Sequence, residues 1–228
     1  MIYVAIAAGG TGSRMGADKP KQFIELCGKP ILIHTVEAFK GNVDSVYIGV
    51  VSEWMEYTER LLKEYKLDGF AKVICGGANR METLYKIICK IEAEGSVSEE
   101  DILLTHDAVR PFINNRIIAE NIEKCRIHGA CGTFVPAVDT MAVSSDGEML
   151  DSVPVRSTMF NSQTPQTAKF MLLKKLFDEN THRFEEFTDL CGMLKSLGVE
   201  VAIAMGEYSN IKITTPSDIA VARGIMGE

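Results

Sequence analysis

Short apolar runs recur along the chain, and segments with helical periodicity separate them. Each run is bounded by Gly, Pro or charged residues, which predicts strands buried on both faces. The predicted strands are Ile2 to Ala7, Ser45 to Val51, Ala71 to Cys75, Ile102 to Thr105, Ala130 to Val135 and Val199 to Ala204. Strands of this kind are typical of a parallel sheet that helices cover on both sides.

Apolar residues three and four positions apart predict the helices between these strands. The predicted helices are Pro30 to Phe39, Trp54 to Tyr65, Arg80 to Glu94, Asn115 to His128 and Phe187 to Leu197, with a last helix after Thr215. Alternating strands and helices predict an α/β fold, a Rossmann-like three-layer sandwich with a mostly parallel sheet. At 228 residues, we expect a single domain over residues 1–228.

The stretch from Val138 to Phe160 interrupts this alternation. Asp146-Gly147 is a strong hairpin-turn signal between two strand-like segments, Thr140 to Ser144 and Met149 to Val155. We therefore expect a protruding β-hairpin arm at about residues 137–160. Because a two-stranded arm is marginally stable alone in water, it should pack against a partner, such as the same arm of a second subunit.

Composition narrows the function. The chain carries 31 Asp plus Glu against 24 Lys plus Arg, a formal charge of -7, which argues against a sequence-independent nucleic-acid binder. No apolar stretch approaches the roughly 20 residues that cross a bilayer, and the N-terminal run leads into glycines rather than a signal-peptide core. Six scattered cysteines without a C-x-x-C pair indicate thiols in a reducing compartment. We expect a cytoplasmic protein with no membrane or nucleic-acid partner.

The strongest local motif follows the first strand. Residues 7–16 read Ala-Ala-Gly-Gly-Thr-Gly-Ser-Arg-Met-Gly, and Lys19-Pro20-Lys21-Gln22 comes soon after. Glycines let backbone N–H groups approach a phosphate, and Arg14 and Lys21 add charged donors. The motif lacks the Gly-Lys-Ser/Thr ending of a P-loop, and Gly16 comes one position late for a dinucleotide fingerprint. We interpret it as a phosphate-binding loop; a purely structural turn is the alternative.

A second glycine turn, Gly76-Gly77, leads into a helix on which Arg80 and Thr83 share a face. The free N–H groups at that helix start could bind an anion or a base edge, and a plain strand-to-helix turn is the alternative.

Two charged residues lie at further strand ends. Asp107 ends a very apolar strand, where a carboxylate suits Mg²⁺ that also contacts phosphate; a structural ion pair with Arg110 is the alternative. Lys212 lies among apolar neighbours, so its amine either reaches solvent or faces an anion.

Taken in order, these motifs resemble the cytidylyltransferases that activate small polyol phosphates with CTP. The resemblance covers nearly the whole chain. Its matching segments are residues 7–16 with Pro20-Lys21-Gln22, Gly76-Gly77 with Arg80 and Thr83, His106 to Pro111, Asp139-Thr140, Arg156 with Gln163 to Gln166, Thr188-Asp189, and Asn210 to Lys212.

Two branches share these motifs, the 2-C-methyl-D-erythritol 4-phosphate enzymes and the ribitol-5-phosphate enzymes. Val109 to Phe112, Gln163 to Thr167 and Gly206 to Asn210 are similar to the ribitol branch, and Ser209 stands where the other branch usually has Asp. The resemblance implies conversion of D-ribitol 5-phosphate and CTP to CDP-ribitol and pyrophosphate. Transfer to 2-C-methyl-D-erythritol 4-phosphate is the alternative.

The resemblance also implies residue roles. Arg14, Lys21 and Lys212 would neutralise the α-phosphate and the leaving group, and Asp107 would help to hold Mg²⁺ or another divalent cation. The nucleotide would contact Ala7, Ala8, Gly9, Gly10, Thr11, Gly12, Gly77, Arg80, Thr83 and Asp107. The acceptor would contact Asp139, Thr140, Arg156 and Thr188. In this family the arm exchanges between the subunits of a homodimer, so its residues would serve the neighbour's site.

Two other classes fit parts of the pattern. A nicotinamide-dependent oxidoreductase would use the same glycine turn and an acidic residue closing the second strand, where Glu53 is a weak fit. A non-catalytic nucleotide sensor would retain the fold without turnover.

Overall fold

The computed structural model describes residues 1–10, 19–95 and 97–227. Its strands are β1 (Ile2–Ala7), β2 (Glu25–Leu26), β3 (Lys29–Pro30), β4 (Ser45–Val50), β5 (Ala71–Cys75), β6 (Ile102–Asp107), β7 (Ala130–Pro136), β8 (Phe160–Lys169) and β9 (Ala202–Met205). Seven of them form one sheet in the order β5-β4-β1-β6-β8-β7-β9, and β2 pairs with β3 in a separate ribbon. Of these described strands, only β8 runs antiparallel to its neighbours in the large sheet, which confirms the mostly parallel sheet.

Helices cover both faces of this sheet. They are α1 (Ile31–Ala38), α2 (Met55–Glu64), α3 (Arg80–Glu94), α4 (Asn115–His128), α5 (Phe170–Glu179), α6 (Leu190–Ser196) and α7 (Pro216–Met226). Side chains alternate along β1, so Val4 and Ile6 pack with α1, α2 and α4, while Tyr3 and Ala5 pack with α3, α5 and α6. The three-layer α/β sandwich is therefore confirmed. Within the described part of the chain, no helix combines the length and apolarity needed to cross a membrane.

The strand order reverses beside β1. Its partners are β4 on one side and β6 on the other, and both pairs are parallel. In open α/β sheets, ligands bind beyond the carboxyl ends of the strands at such a reversal. The fold thus directs the residues after β1 and β6 to one region.

Strand β8 and helix α5 are absent from the sequence-based prediction. The strand is polar, with Pro165 in an irregular stretch of the pairing with β7, so it lacks the apolar signal of its neighbours. Its buried polar groups have partners instead: the Thr167 hydroxyl donates to Asn121 Oδ1 over 3.2 Å, and the Gln166 carbonyl accepts from Thr105 over 3.1 Å. Hydrogen bonding of this kind makes burial of a polar strand tolerable.

Two elements begin three residues later than predicted, while other boundaries differ by one or two residues. The predicted helix at 187–197 begins only at Leu190, because Asp189 is its N-cap and accepts the Gly192 N–H over 2.8 Å. The predicted strand at 199–204 forms over Ala202–Met205, in register with β7.

The arm is less regular than predicted. The Asp146-Gly147 turn is present, with Gly147 at a φ of 78° and its N–H donating to the Ser144 hydroxyl over 2.9 Å. However, antiparallel pairing within the arm is limited to a single bridge between Val143 and Ser152, so the two predicted strands are wrong as continuous elements. Hydrogen bonds around one turn do not compensate the cost of ordering two unsupported strands.

Candidate active site

A cavity of about 350 Å³ lies beyond the carboxyl ends of β1 and β6, at the reversal of strand order. The turn at 76–79 before α3 and Lys212 from the segment before α7 complete its walls. Sequence-distant segments thus meet where the fold predicts a ligand. The volume is in the range of small-molecule sites.

A second cavity, of about 140 Å³, adjoins the first. The two cavities share three lining residues, Arg80, Asp107 and Lys212. The rest of the smaller cavity comes from Arg110, from β8 and from the start of α6 at Thr188 and Asp189. Ligands in the two cavities would therefore meet at one shared group of charges.

Asp107 is the centre of that group. Its carboxylate accepts hydrogen bonds from Arg80 Nη1 and from Arg110 Nε, the latter over 3.2 Å, and it pairs with Lys212 Nζ at 3.1 Å. Burial alone would raise the pKa of this carboxyl, but Arg80, Lys212 and Arg110 outweigh it and hold the pKa far below its ordinary value. Asp107 is therefore ionised, and three positive charges against one negative charge leave a formal excess of two. Such a wall attracts anions.

Arg80 carries further unused donors in this wall. Its Nε and Nη2 atoms are buried and have no hydrogen-bond partner among the described residues. Buried donors without a partner cost about 1–3 kcal/mol each. Arg80 itself borders both cavities, so its guanidinium contributes to the positive charge that an anionic ligand would meet there.

The turn before α3 is built by its own side chains. Asn79 is the N-cap and accepts the Glu82 N–H over 2.9 Å. The Thr83 hydroxyl accepts the Gly77 N–H over 2.9 Å and donates to the Asn79 carbonyl over 2.8 Å. A Cβ at Gly77 would lie 2.5 Å from Glu82 side-chain atoms, which explains the glycine. Thr83 thus shapes the turn through its hydroxyl.

The opposite wall follows directly from β1. The buried Gln22 side chain donates to the Ala8 carbonyl over 2.6 Å, and the Ala8 N–H donates to the Gly49 carbonyl over 2.8 Å. These bonds fix the strand end beside Lys21, which also borders the larger cavity. Lys21 and Lys212 therefore line the same cavity from distant parts of the chain.

Ten residues predicted from the sequence border the larger cavity: Ala7, Ala8, Gly9, Gly10, Lys21, Gly77, Arg80, Thr83, Asp107 and Lys212. Thr188 borders the smaller one. Thr11, Gly12 and Arg14 lie outside the described residues. Asp139, Thr140 and Arg156 lie on the exposed arm and are not among the described residues that line either cavity.

Sequence reasoning missed several residues of the smaller cavity. From the sequence, Arg110 is predicted only as an ion-pair partner of Asp107, the alternative to a Mg²⁺ site. The structure contains this ion pair, and Arg110 also borders the smaller cavity. Gln163 and Thr164 are hidden in the polar strand β8, where only the motif resemblance marked them. Asn210 is buried and donates to Gln163 Oε1 over 3.2 Å and to the Thr164 carbonyl over 3.0 Å. These two hydrogen bonds stabilise β8 beside the smaller cavity.

The fold and this cationic, nucleotide-sized cavity place the chain among the α/β nucleotidyltransferases. Residues 2–228 match the model of the 2-C-methyl-D-erythritol 4-phosphate cytidylyltransferase family, and the chain belongs to that family. It is therefore a cytidylyltransferase, an enzyme with CTP as co-substrate. The oxidoreductase alternative is wrong; the Glu53 carboxylate simply accepts the neighbouring Trp54 indole N–H over 3.0 Å.

Solved structures agree with this assignment. 4-Diphosphocytidyl-2C-methyl-D-erythritol synthase from Anaerococcus prevotii DSM 20548 is 27% identical with a TM-score of 0.84, and the match covers 100% of this chain and 96% of that one. The 2-C-methyl-D-erythritol 4-phosphate cytidylyltransferase from Francisella tularensis is 26% identical with a TM-score of 0.79, covering 98% of each chain. The Thermus thermophilus enzyme of that name, 24% identical with a TM-score of 0.78 and 98% coverage of both chains, supports the fold.

Proposed function

We propose that the two cavities hold CTP and a small polyol phosphate, and that the site transfers the cytidylyl group to the acceptor's phosphate. The observation that carries this proposal is the charge group of Asp107, Arg80 and Lys212 on the wall that both cavities share. Two phosphorylated substrates would repel each other in water. A shared cationic wall lowers that repulsion at the place where their phosphates must meet.

The chemistry needs no protein base. An oxygen of the acceptor phosphate attacks the α-phosphorus of CTP, a new P–O bond forms, and the bond to the β-phosphate oxygen breaks in line. Pyrophosphate leaves with the electron pair of that bond. A phosphate monoester has a second pKa of about 6, so the attacking oxygen already carries negative charge near neutral pH. Catalysis then consists of positioning and charge neutralisation.

Four cations have proposed roles in this step. Lys21, in the larger cavity, and Arg14 neutralise the triphosphate and its leaving group. Lys212 borders both cavities, so its amine can follow the α-phosphate as the bond to the acceptor forms. Arg80 adds a further positive charge beside both cavities.

By resemblance, Asp107 would hold a Mg²⁺ ion that arrives with the triphosphate, although both of its carboxylate oxygens already contact cationic side chains, those of Arg80, Arg110 and Lys212. Mg²⁺ in nucleotide sites usually takes one or two carboxylates, with phosphate oxygens and water as its other ligands. The described residues contain no cluster of three His, Cys, Asp or Glu side chains that could hold a metal alone. Ser209 supplies no second carboxylate, so Asp107 would be the protein ligand. A bound Mg²⁺ would add positive charge at the reacting phosphates.

Two acceptors are candidates, and the comparisons favour 2-C-methyl-D-erythritol 4-phosphate. The family description and the names of the A. prevotii and F. tularensis proteins all contain this compound or its product. D-Ribitol 5-phosphate is the second candidate, because Val109 to Phe112 and Gly206 to Asn210 resemble the ribitol branch.

We further propose that the arm pairs with a second copy of the chain. Several of its apolar side chains are exposed, among them Met149 at 71%, Leu150 at 62% and Val155 at 68%. A single backbone bridge does not stabilise such a segment alone. In a homodimer, Asp139, Thr140 and Arg156 would reach the neighbour's smaller cavity. Light scattering of wild type and Val155→Asp should show a dimer and a monomer, and a monomeric wild type would contradict the pairing.

The experiment is pyrophosphate release from CTP and Mg²⁺ with each acceptor in parallel, followed by mass spectrometry of the product. The proposal predicts release only when a polyol phosphate is present. A higher kcat/KM with the methylerythritol substrate assigns the first acceptor, and a higher value with D-ribitol 5-phosphate assigns the second. Nucleotide binding without release from either would contradict the proposed function and favour a nucleotide sensor.

A further inference from the structure

His106 is a buried histidine directly behind the site. It precedes Asp107 at the end of β6, is fully buried, and packs edge-on against the Phe39 ring with centroids 5.0 Å apart. Both ring nitrogens have partners: Nε2 lies 3.1 Å from the Arg110 carbonyl oxygen, and Nδ1 lies 2.9 Å from the Thr164 hydroxyl. The ring therefore connects β6, the loop at Arg110 and strand β8.

These partners determine which nitrogen carries the hydrogen. A carbonyl oxygen only accepts, so the bond to Arg110 requires a hydrogen on Nε2. The ring is fully buried, and its two partners are a carbonyl and a hydroxyl, neither of which compensates a charge on the ring, so the ring is neutral and Nδ1 has a lone pair. The Thr164 hydroxyl must then donate its only hydrogen to Nδ1.

Thr164 is left with acceptor capacity only. Its oxygen also accepts the Asp107 backbone N–H over 3.2 Å, which uses one of its two lone pairs. Thr164 borders the smaller cavity, where the acceptor is proposed to bind. A ligand hydroxyl can donate to the remaining lone pair, whereas a phosphate dianion has no hydrogen to offer.

We propose that His106 is a positioning residue that fixes Thr164 as a hydrogen-bond acceptor, so that this wall of the smaller cavity recognises a hydroxyl group of the polyol. This inference rests on the proposed function. The polyol thereby receives one orientation in the cavity. Its phosphate is drawn to Arg80, Arg110 and Lys212, and its hydroxyl groups lie toward Thr164.

The first test is independent of activity. Nitrogen-15 NMR of the ligand-free protein near pH 7 reports which ring nitrogen of each of the four histidines carries a hydrogen, and the spectrum of His106→Gln assigns the His106 signals. The inference predicts hydrogen on Nε2 and a bare Nδ1. A hydrogen on Nδ1 would overturn it, because Thr164 could then donate to a ligand.

The second test separates the two ring bonds by kinetics. His106→Asn keeps an acceptor near the Nδ1 position but cannot reach the Arg110 carbonyl, while His106→Gln keeps a donor near Nε2 and loses the Nδ1 acceptor. We expect His106→Gln to raise the KM of the polyol phosphate about tenfold, the usual scale for one lost hydrogen bond to a ligand. The KM of CTP should change less than about threefold, and His106→Asn should retain the acceptor KM within about threefold.

A matched control is His34→Gln. His34 is half-buried on α1, its Nε2 also faces a backbone carbonyl, that of Leu26 at 2.8 Å, and it borders neither cavity. Both KM values should be unchanged in this variant. Equal increases in the KM of CTP and acceptor in His106→Gln would overturn the inference, as would an equal acceptor defect in His106→Asn. A wild type that releases no pyrophosphate with either polyol phosphate refutes the proposed function instead, and the NMR result still decides the state of His106.

Discussion

Replacing Lys212 with alanine tests whether the charge of this residue contributes to turnover or only to stability. The amine lies 3.1 Å from Asp107 Oδ2 and borders both cavities, and the side chain is 43% exposed. Exposure of the lysine limits the contribution of this ion pair to stability to about 1 kcal/mol, although Asp107 itself is only 7% exposed. Asp107 keeps Arg80 and Arg110 as partners in the variant, so its carboxylate is not left buried without compensation. We expect the unfolding free energy to change by less than about 1 kcal/mol.

Turnover should respond far more. The Lys212 charge is proposed to stabilise the reacting α-phosphate, and removal of one such donor typically lowers kcat by about 10² to 10³, or about 2.7–4 kcal/mol of transition-state free energy. The activation barrier should therefore rise by several times the loss in stability. That ratio is the signature of a residue that acts on the reaction and not on the fold.

Steady-state pyrophosphate release gives kcat and both KM values, and urea unfolding gives the stability. Lys195→Ala is the control, since Lys195 lies on α6, is 54% exposed, forms a surface ion pair with Glu200 at 3.3 Å and borders neither cavity. Its kcat should equal that of the wild type. A kcat within about threefold of wild type for Lys212→Ala would refute the proposed role of this amine.

Three further outcomes are expected. The pKa of His106 falls from 6.5 to about 4 on folding, so between these values the unfolded chain binds a proton at His106 and the folded protein does not. The free energy of unfolding, measured with urea, should therefore fall by about 2 kcal/mol between pH 7 and pH 5. An equal fall in His106→Gln would contradict this. Gly49→Ala places a Cβ 2.2 Å from Thr83 Cγ2, so the unfolding free energy should fall by roughly 1–3 kcal/mol, and an unchanged value would show that α3 shifts freely. Arg156→Ala should raise the KM of the polyol phosphate about tenfold and leave that of CTP unchanged, as for one lost contact to an anion, and the reverse pattern would reassign Arg156.

Much of the fold follows from local pattern. The run at Ile2–Ala7 and the helix at Arg80–Glu94 form over the predicted residues, because most of their apolar side chains are buried where the periodicity places them. The run at Ala71–Cys75 also forms over the predicted residues, but as an edge strand in which only Ala71 is buried. Strand Phe160–Lys169 could not be found this way, since its stability comes from hydrogen bonds to distant residues such as Asn121. Helix Phe170–Glu179 carries Phe170, Leu173 and Phe177 at helical spacing, and this periodicity is a sequence signal for the helix.

The sequence predicts those residues of the candidate site that a single short motif marks. Asp107 and Lys212 stand out from their apolar neighbours, and the structure places them 3.1 Å apart. The contribution of Arg110 and Thr164 depends on which strand lies beside β6, and local periodicity gives no information on that pairing. The size of each cavity cannot be predicted from local sequence, because it depends on how several strands and helices pack against one another.

The central claim is that a phosphate oxygen of the acceptor attacks the α-phosphorus of CTP at the wall shared by the two cavities. Phosphorus-31 NMR of a reaction with acceptor whose phosphate oxygens carry ¹⁸O tests it most directly. The account predicts ¹⁸O in the bridge of the new diphosphate product and none in pyrophosphate. Label in pyrophosphate, or a product without a labelled bridge, would contradict attack at the α-phosphorus.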